Sequence, residues 1–278
     1  MAKRRKIKPF RVLLLLTILL IGIQIIWNVI DGLFYPEPEP IVIETHEPDI
    51  DPVRKHDYDF SNYYKDTFLH YEDENYTSDI GIDVSHYQND IDWVTVKNAG
   101  VSFAIIQAGH RGYETGLLHE NERYRSYIQE AKAAGLEVGV YFFSQANTRE
   151  EAIEEARFVL KLVKDYPIDC GIAFDMEYVN EYDRIHHLTT EEITQITYAF
   201  AETIKGAGYT PIIYGSASWL EHQLYMEYLQ DDCEFWVASF QEEYEPYEYV
   251  YSIWQYSEKG EVPGINHPVD LNIRMKRK

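Results

Sequence analysis

The chain has 278 residues, a formal net charge of -22 and 15% aromatic residues, enough for one single-core domain of about 200 residues plus accessory segments. Six basic residues among the first eleven (Lys3, Arg4, Arg5, Lys6, Lys8, Arg11) precede any acidic one, so the remainder is even more acidic than the total suggests. Such a surface repels phosphates and no basic stripe follows the N-terminus, which argues against nucleic acid as a partner.

After the basic residues 1–11, Val12 to Ile30 carries no charge and only Thr17, Gln24 and Asn28 as polar side chains. A helix of that length would be about 28 Å long, enough to span a bilayer core. A cleaved signal peptide would have a shorter apolar region and a small-x-small site, whereas Trp27-Asn28-Val29-Ile30-Asp31 stands here. The expectation is an uncleaved transmembrane signal anchor over 12–30, making this a single-pass protein of the cell membrane. The basic residues stay cytoplasmic and everything after Asp31 is extracellular. Residues 31–78 read as an acidic linker: Pro36-Glu37-Pro38-Glu39-Pro40 opens an extended, self-repelling spacer, and the Tyr-, Asp- and Glu-rich stretch 55–79 is a partly ordered lead-in.

From residue 79 to 276 short apolar runs alternate with helical patterns. The runs are Ile80 to Val84, Phe103 to Gln107, Glu137 to Phe143, Gly171 to Asp175, Pro211 to Tyr214, Glu234 to Ala238, Tyr251 to Gln255, and Val269 to Leu271. Helices are expected around Asn121 to Ala134 and after two capping boxes, Thr148-x-x-Glu151 and Thr189-x-x-Glu192. Strands alternating with helices imply parallel pairing. About eight of them fit a closed α/β barrel, TIM-barrel-like, irregular in its helix-poor half after Tyr214. Cys170 and Cys233 lie far apart; one disulfide is possible, and two unpaired buried thiols are the preferred reading.

In a parallel barrel, chemistry gathers where the C-terminal strand ends open into loops. Asp83 ends the first run, Asp175 and Glu177 the fourth, and Asp270 lies in the last. Side chains at i and i+2 of a strand share a face, so Asp175 and Glu177 can reach one substrate bond. Breaking a glycosidic bond needs a proton on the leaving oxygen and negative charge beside the oxocarbenium-like centre, and neighbouring carboxyls can be held in the two protonation states this requires. Clustered carboxylates could also hold a divalent cation, which spacing does not exclude.

These residues resemble the family 25 glycoside hydrolases. Gly81-Ile82-Asp83-Val84-Ser85-His86-Tyr87-Gln88 is similar to the family's opening strand, and Ala173-Phe174-Asp175-Met176-Glu177 to its Asp-x-Glu motif. Gly139 to Ser144, Ile213-Tyr214-Gly215, Phe235 to Ala238, Trp254-Gln255-Tyr256, Val262 to Ile265 and Val269 to Asn272 match in order, so the resemblance covers about residues 79–274. It implies a modified β/α barrel and a lysozyme (N-acetylmuramidase) that cleaves the β-1,4 bond between N-acetylmuramic acid and N-acetylglucosamine in peptidoglycan glycan strands, without metal or other cofactor. Glu177 would be the proton donor and Asp175 would orient the 2-acetamido group or stabilise the ring cation, with Asp83 and Asp270 shaping the same catalytic pocket. The chain departs from the family at Gln107, where an Arg is frequent, and at Asn121, Tyr124 and Tyr127, which puts substrate range in doubt more than catalysis.

Tyr141, Tyr214, Trp254 and Tyr256 are candidate sugar platforms or core residues, Gln255 a polar substrate contact, and His86 a glycan contact or the start of a helix. Two other functions remain open: a catalytically silent barrel that binds peptidoglycan, and a hydrolase of a different cell-surface polysaccharide.

Overall fold

The computed structural model describes residues 16–23, 37–43, 51–240 and 247–278. The chain divides into two compact units, Met1–Glu37 and Pro38–Lys278. In the first, residues 16–23 are helical, and the rest of the expected 12–30 span lies outside the described residues. Among the described residues no helix is long and apolar enough to cross a membrane.

Among its described residues the second unit contains eleven strands: β1 (Tyr63–Lys65), β2 (Leu69–Tyr71), β3 (Tyr76–Val84), β4 (Phe103–Arg111), β5 (Leu118–Glu120), β6 (Glu137–Ser144), β7 (Ile172–Met176), β8 (Pro211–Ser216), β9 (Glu234–Ala238), β10 (Ile253–Gly260) and β11 (Val269–Arg277). Five α-helices accompany them among the described residues: α1 (Trp93–Asn98), α2 (Tyr124–Ala133), α3 (Arg149–Val163), α4 (Thr190–Gly206) and α5 (Ala217–Gln223). The order β3-β11-β10-β9-β8-β7-β6-β4, closed by β3 against β4, makes an eight-stranded barrel, and β5 extends it as a ribbon on β4. Each of the eight apolar runs is a barrel strand. Buried strands of this kind carry apolar side chains on both faces, as the fully buried Ile172–Met176 does.

The expectation of an all-parallel barrel fails at one strand. β11 is antiparallel to both β10 and β3. Only residues 261–268 join β10 to β11, too few for the crossover that parallel strands need. The helix-poor second half is as expected, with the single short α5 after β8 among the described residues.

Helix α3 buries Ala152, Ala156, Val159, Leu160 and Val163, and α4 buries Ile193, Ile196, Phe200 and Ile204, each along one apolar stripe. Thr189 and Glu192 form the expected reciprocal capping box. Thr148 caps the Glu151 backbone N–H, but the Glu151 carboxylate turns to the Asn147 N–H, so the second box is only half made. Inside the barrel, Phe103 fills the floor, and Gly81 leaves room for it, since a Cβ there would sit 2.1 Å from the Phe103 ring. Arg274 lies over that ring, its guanidinium carbon 4.6 Å from the centroid.

The lead-in is more ordered than its composition suggests. β1 and β2 form a hairpin, and the Tyr58 and Tyr63 hydroxyls reach the Tyr251 carbonyl and hydroxyl at 2.9 and 2.8 Å. Tyr63 also packs edge-on against Trp254, and the Leu69 N–H donates to the Tyr256 hydroxyl at 3.2 Å. This segment covers the outer face of β10, where a regular barrel would have a helix. Cys170 and Cys233 are both free thiols, as preferred from sequence.

Candidate active site

The barrel mouth opens into a cavity of about 660 Å³ lined by all four predicted carboxylates, Asp83, Asp175, Glu177 and Asp270. Asp83 and Asp270 face each other across β3 and β11, and their carboxyls share a hydrogen bond. Asp175 ends β7, Glu177 follows it by two residues, and these two carboxyls are also hydrogen-bonded to each other. Two carboxyl pairs therefore meet in one largely buried space.

Burial is the first cause of the pKa rise at each acid. Asp83 is raised although Asn272 and Gln255 each donate a hydrogen bond at 2.8 Å to its Oδ2. Asp270 is pushed up to about 8 by burial and then by the charge of Asp83. Asp175 is raised well above the usual carboxylate range by burial, by the charge of Glu177 and by their shared hydrogen bond, while Glu177 is raised by burial and by Asp83. The pair holds one proton between its two carboxyls, because burial and their mutual repulsion disfavour a second negative charge there. Asp175 Oδ1 is buried with no hydrogen-bond partner among the described residues.

A polar chain fixes the Asp83 side. The Tyr214 hydroxyl donates to Gln255 Oε1 at 2.9 Å, and Trp236 Nε1 donates to Asn272 Oδ1 at 2.8 Å. Both amides are thereby oriented so that their N–H groups point at Asp83. Tyr141 and Tyr214 stand in the field of all four acids, which with burial holds their hydroxyls protonated as donors.

Of the predicted substrate contacts, Tyr141, Tyr214, Gln255 and His86 line the cavity, and Trp254 does not. Trp254 Nε1 donates to the Ser239 carbonyl at 3.0 Å, and its ring packs against the lead-in. Neighbours on a strand face opposite ways, so with Gln255 inside, Trp254 and Tyr256 point out. The tryptophan of the cavity is Trp236, register partner of Tyr214 on β9. Gln107 also lines the cavity, opposite Tyr141, and accepts a hydrogen bond from Asn121 Nδ2 at 2.6 Å, so two of the family departures act together and beside the acids. Tyr124 and Tyr127 are buried in the core.

Sequence reasoning missed the supports. Gln145 is buried and donates from Nε2 to the Glu177 carbonyl at 3.0 Å. Arg111, at the end of β4, is buried among Glu155 at 2.7 Å, Glu154 at 2.8 Å and the Gly116 carbonyl at 2.7 Å. Ser144 donates to the other Glu155 oxygen at 2.6 Å. This network ties the loop 112–115, which lines the cavity, to α3. The Glu150-Glu151 and Glu154-Glu155 pairs on one helical segment were its only trace in the sequence. Among the described residues no group of three or more His, Cys, Asp or Glu converges as a metal-binding cluster.

A barrel with acidic pairs in its mouth has the parts for proton transfer and for stabilising positive charge at one bond. The chain belongs to the glycosyl hydrolases family 25, whose sequence profile matches residues 82–265. It is 26% identical over 192 residues to the autolytic lysozyme of Clostridium acetobutylicum, covering 69% of this chain and 54% of that protein. It is 28% identical over 200 residues to lysozyme M1 of Streptomyces globisporus, covering 69% and 66%. The modular autolysin LytC from Streptococcus pneumoniae, solved with a synthetic peptidoglycan ligand, aligns with a TM-score of 0.62 at 26% identity, over 70% of this chain and 46% of that one. The bacterial lysozyme from Streptomyces coelicolor shares the fold with a TM-score of 0.57 at 24% identity, over 70% and 90%. This chain thus spans about half to two thirds of the length of the curated relatives and of LytC.

Proposed function

We propose that the chain is a peptidoglycan muramidase that hydrolyses the β-1,4 bond between N-acetylmuramic acid and N-acetylglucosamine, with Glu177 as proton donor. The observation that carries this reading is the hydrogen-bonded Asp175–Glu177 pair at the end of β7, in a cavity shared with Asp83 and Asp270. Lysozymes among the relatives support the substrate.

In the free protein Asp175 and Glu177 share a proton. A sugar whose acetamido N–H donates to the Asp175 carboxylate would favour the Asp175 anion and leave the shared proton on Glu177. The Glu177 O–H then donates to the glycosidic oxygen, the C–O bond breaks with its electron pair on that oxygen, and the Asp175 carboxylate steadies the oxocarbenium-like centre or the acetamido group until water adds and gives a proton back to Glu177. Tyr141 supplies a hydroxyl donor and Trp236 a flat apolar surface to the same sugar. Mass spectrometry of fragments released from purified peptidoglycan tests the reading. Reducing-end muramic acid is expected; reducing-end glucosamine, or no release, contradicts it. A different polysaccharide is the second reading, favoured by the neutral Gln107 of the cavity lining, which Asn121 holds from behind.

We further propose that residues 12–30 anchor the protein in the cell membrane with the barrel outside, on the strength of the basic residues 1–11 before an uncharged run.

A further inference from the structure

The cavity is lined by five carboxylates, those of Asp83, Glu114, Asp175, Glu177 and Asp270, and by no Lys or Arg among the described residues. Any anionic substituent on a substrate entering it meets a repulsive field. The side chains of the lining that can become positive are His86 and His110.

His110 is aimed into the cavity by a specific backbone device. The β4–β6 register slips between Gln107 and Gly109: Gln107 pairs with Tyr141, Gly109 with Phe142 and His110 with Phe143. The extra residue, Ala108, is a β-bulge, and it turns His110 to the face that Gln107 occupies, which simple alternation would deny it. β5 then folds back with His119 as the register partner of His110, the rings 5.0 Å apart and 23° from parallel. Gly109 is required for this approach, because a Cβ there would lie 2.3 Å from the His119 carbonyl oxygen. His86 stands at the same rim, its ring centroid 4.1 Å from that of Tyr87.

Resting on the muramidase reading, we propose that His110, backed by His119 and flanked by His86, is the subsite for the free lactyl carboxylate that distinguishes a muramic acid residue without a stem peptide from glucosamine. In its cationic form His110 offers a charge-assisted hydrogen bond to that carboxylate, offsetting the acids across the cavity. The groups acting on it are His119 on β5 and His86 after β3, both of which lower its pKa, as does burial, the largest cause; Glu114 comes from the loop that follows β4. A bound carboxylate raises the His110 pKa. The selectivity is therefore fullest at low pH and is lost as pH rises through the pKa of the complex.

The test is equilibrium binding to the full chain carrying Glu177→Gln, so that nothing is cleaved. The probes are an alternating muramic acid and glucosamine tetramer and an all-N-acetylglucosamine tetramer, at pH values from about 8 to about 5. The affinity ratio of the first to the second is expected to rise at least about tenfold as pH falls. In His110→Asn the ratio should stay flat. In His119→Asn, which removes a positive neighbour, the midpoint of the rise should move to higher pH, a shift that a purely structural role would not produce. A ratio that does not change with pH, or that rises equally in His110→Asn because the carboxylates alone are titrating, overturns the subsite. Binding does not depend on turnover, so a wild type that releases no muramic reducing ends would sink the muramidase reading and leave this measurement to be judged by itself.

Discussion

Asp83 and Asp270 are register partners across the antiparallel β3–β11 pair, one of the two pairings by which β11 departs from the parallel barrel, and their carboxyls share a hydrogen bond. Residues directly opposite on antiparallel strands are in side-chain contact, and like charges there repel. The pair therefore keeps a proton in the folded protein that the unfolded chain would release.

This relationship has a measurable pH dependence. The folded pKa of Asp270, about 8, lies above its ordinary value of 3.8. The folded state binds more protons than the unfolded state between those limits, so the stability contribution falls as pH rises through the window. Asp270→Asn removes the repulsion. It should raise the thermal midpoint by about a few degrees at pH about 8 and much less at pH about 4. Thermal unfolding at the two pH values checks this; a midpoint lowered equally at both would mean that the carboxyl pair stabilises the fold.

Arg111 and Glu155 form a buried ion pair whose Arg also holds the Gly116 carbonyl. Arg111→Met leaves Glu155 buried beside a lost charge, at a cost of about 3–5 kcal/mol at neutral pH. Even with Arg111 present, burial pushes Glu155 up to about 7, so without it the acid takes up a proton more readily and the deficit should shrink as pH falls toward about 5. Denaturant unfolding of the variant reads this directly. The same variant should raise KM, because the loop 112–115 loses its tether.

Trp236 and Trp254 make a contrasting pair. Trp236→Phe keeps an aromatic surface but removes the donor that orients Asn272 toward Asp83, so kcat/KM should fall by about tenfold, the effect of losing one hydrogen bond of about 1 kcal/mol or more. Trp254→Phe loses its bond to the Ser239 carbonyl on the outer face. It should lower stability by about 1 kcal/mol with kcat/KM changed less than about twofold. Steady-state kinetics on both variants would refute the assignment if Trp254→Phe were the more damaging to turnover.

These outcomes bear on how much the sequence could reveal. The barrel strands were legible because buried strands read as short apolar runs, and the four acids because each lies at the mouth end of such a run. Trp254 does not face the cavity, whereas Gln255 beside it lines it: strand alternation forbids both from doing so, and applying it points to Asn272, two residues beyond Asp270, and through pairing with Tyr214 to Trp236. The inward aim of His110 depends on the Ala108 bulge, which interrupts that alternation without a composition signal. The lead-in has no periodicity of its own. Its order comes from Tyr58, Tyr63 and Leu69 docking on β10, a contact between residues nearly 190 positions apart.

Turnover is expected to survive treatment with a chelator, because the proposed chemistry assigns the acids to proton transfer and charge stabilisation. Loss of activity with recovery on adding a divalent cation would assign Asp83, Asp175 and Asp270 to a metal instead.

The membrane proposal is checked by adding protease to intact, wall-stripped cells. The barrel should be digested and an N-terminal stub spared. Full protection, or release of a form lacking residues 1–30, would contradict the anchor.

The division of labour between Glu177 and Asp175 is tested most directly by a substrate whose activated leaving group needs little protonation. On natural glycan both Glu177→Gln and Asp175→Asn should lose at least about 10²-fold in kcat. With the activated substrate, Glu177→Gln should recover most of its rate and Asp175→Asn little, because the first lacks only the proton and the second the charge beside the ring cation. Equal recovery of the two variants, or near-wild-type activity of Glu177→Gln on natural glycan, would contradict the account.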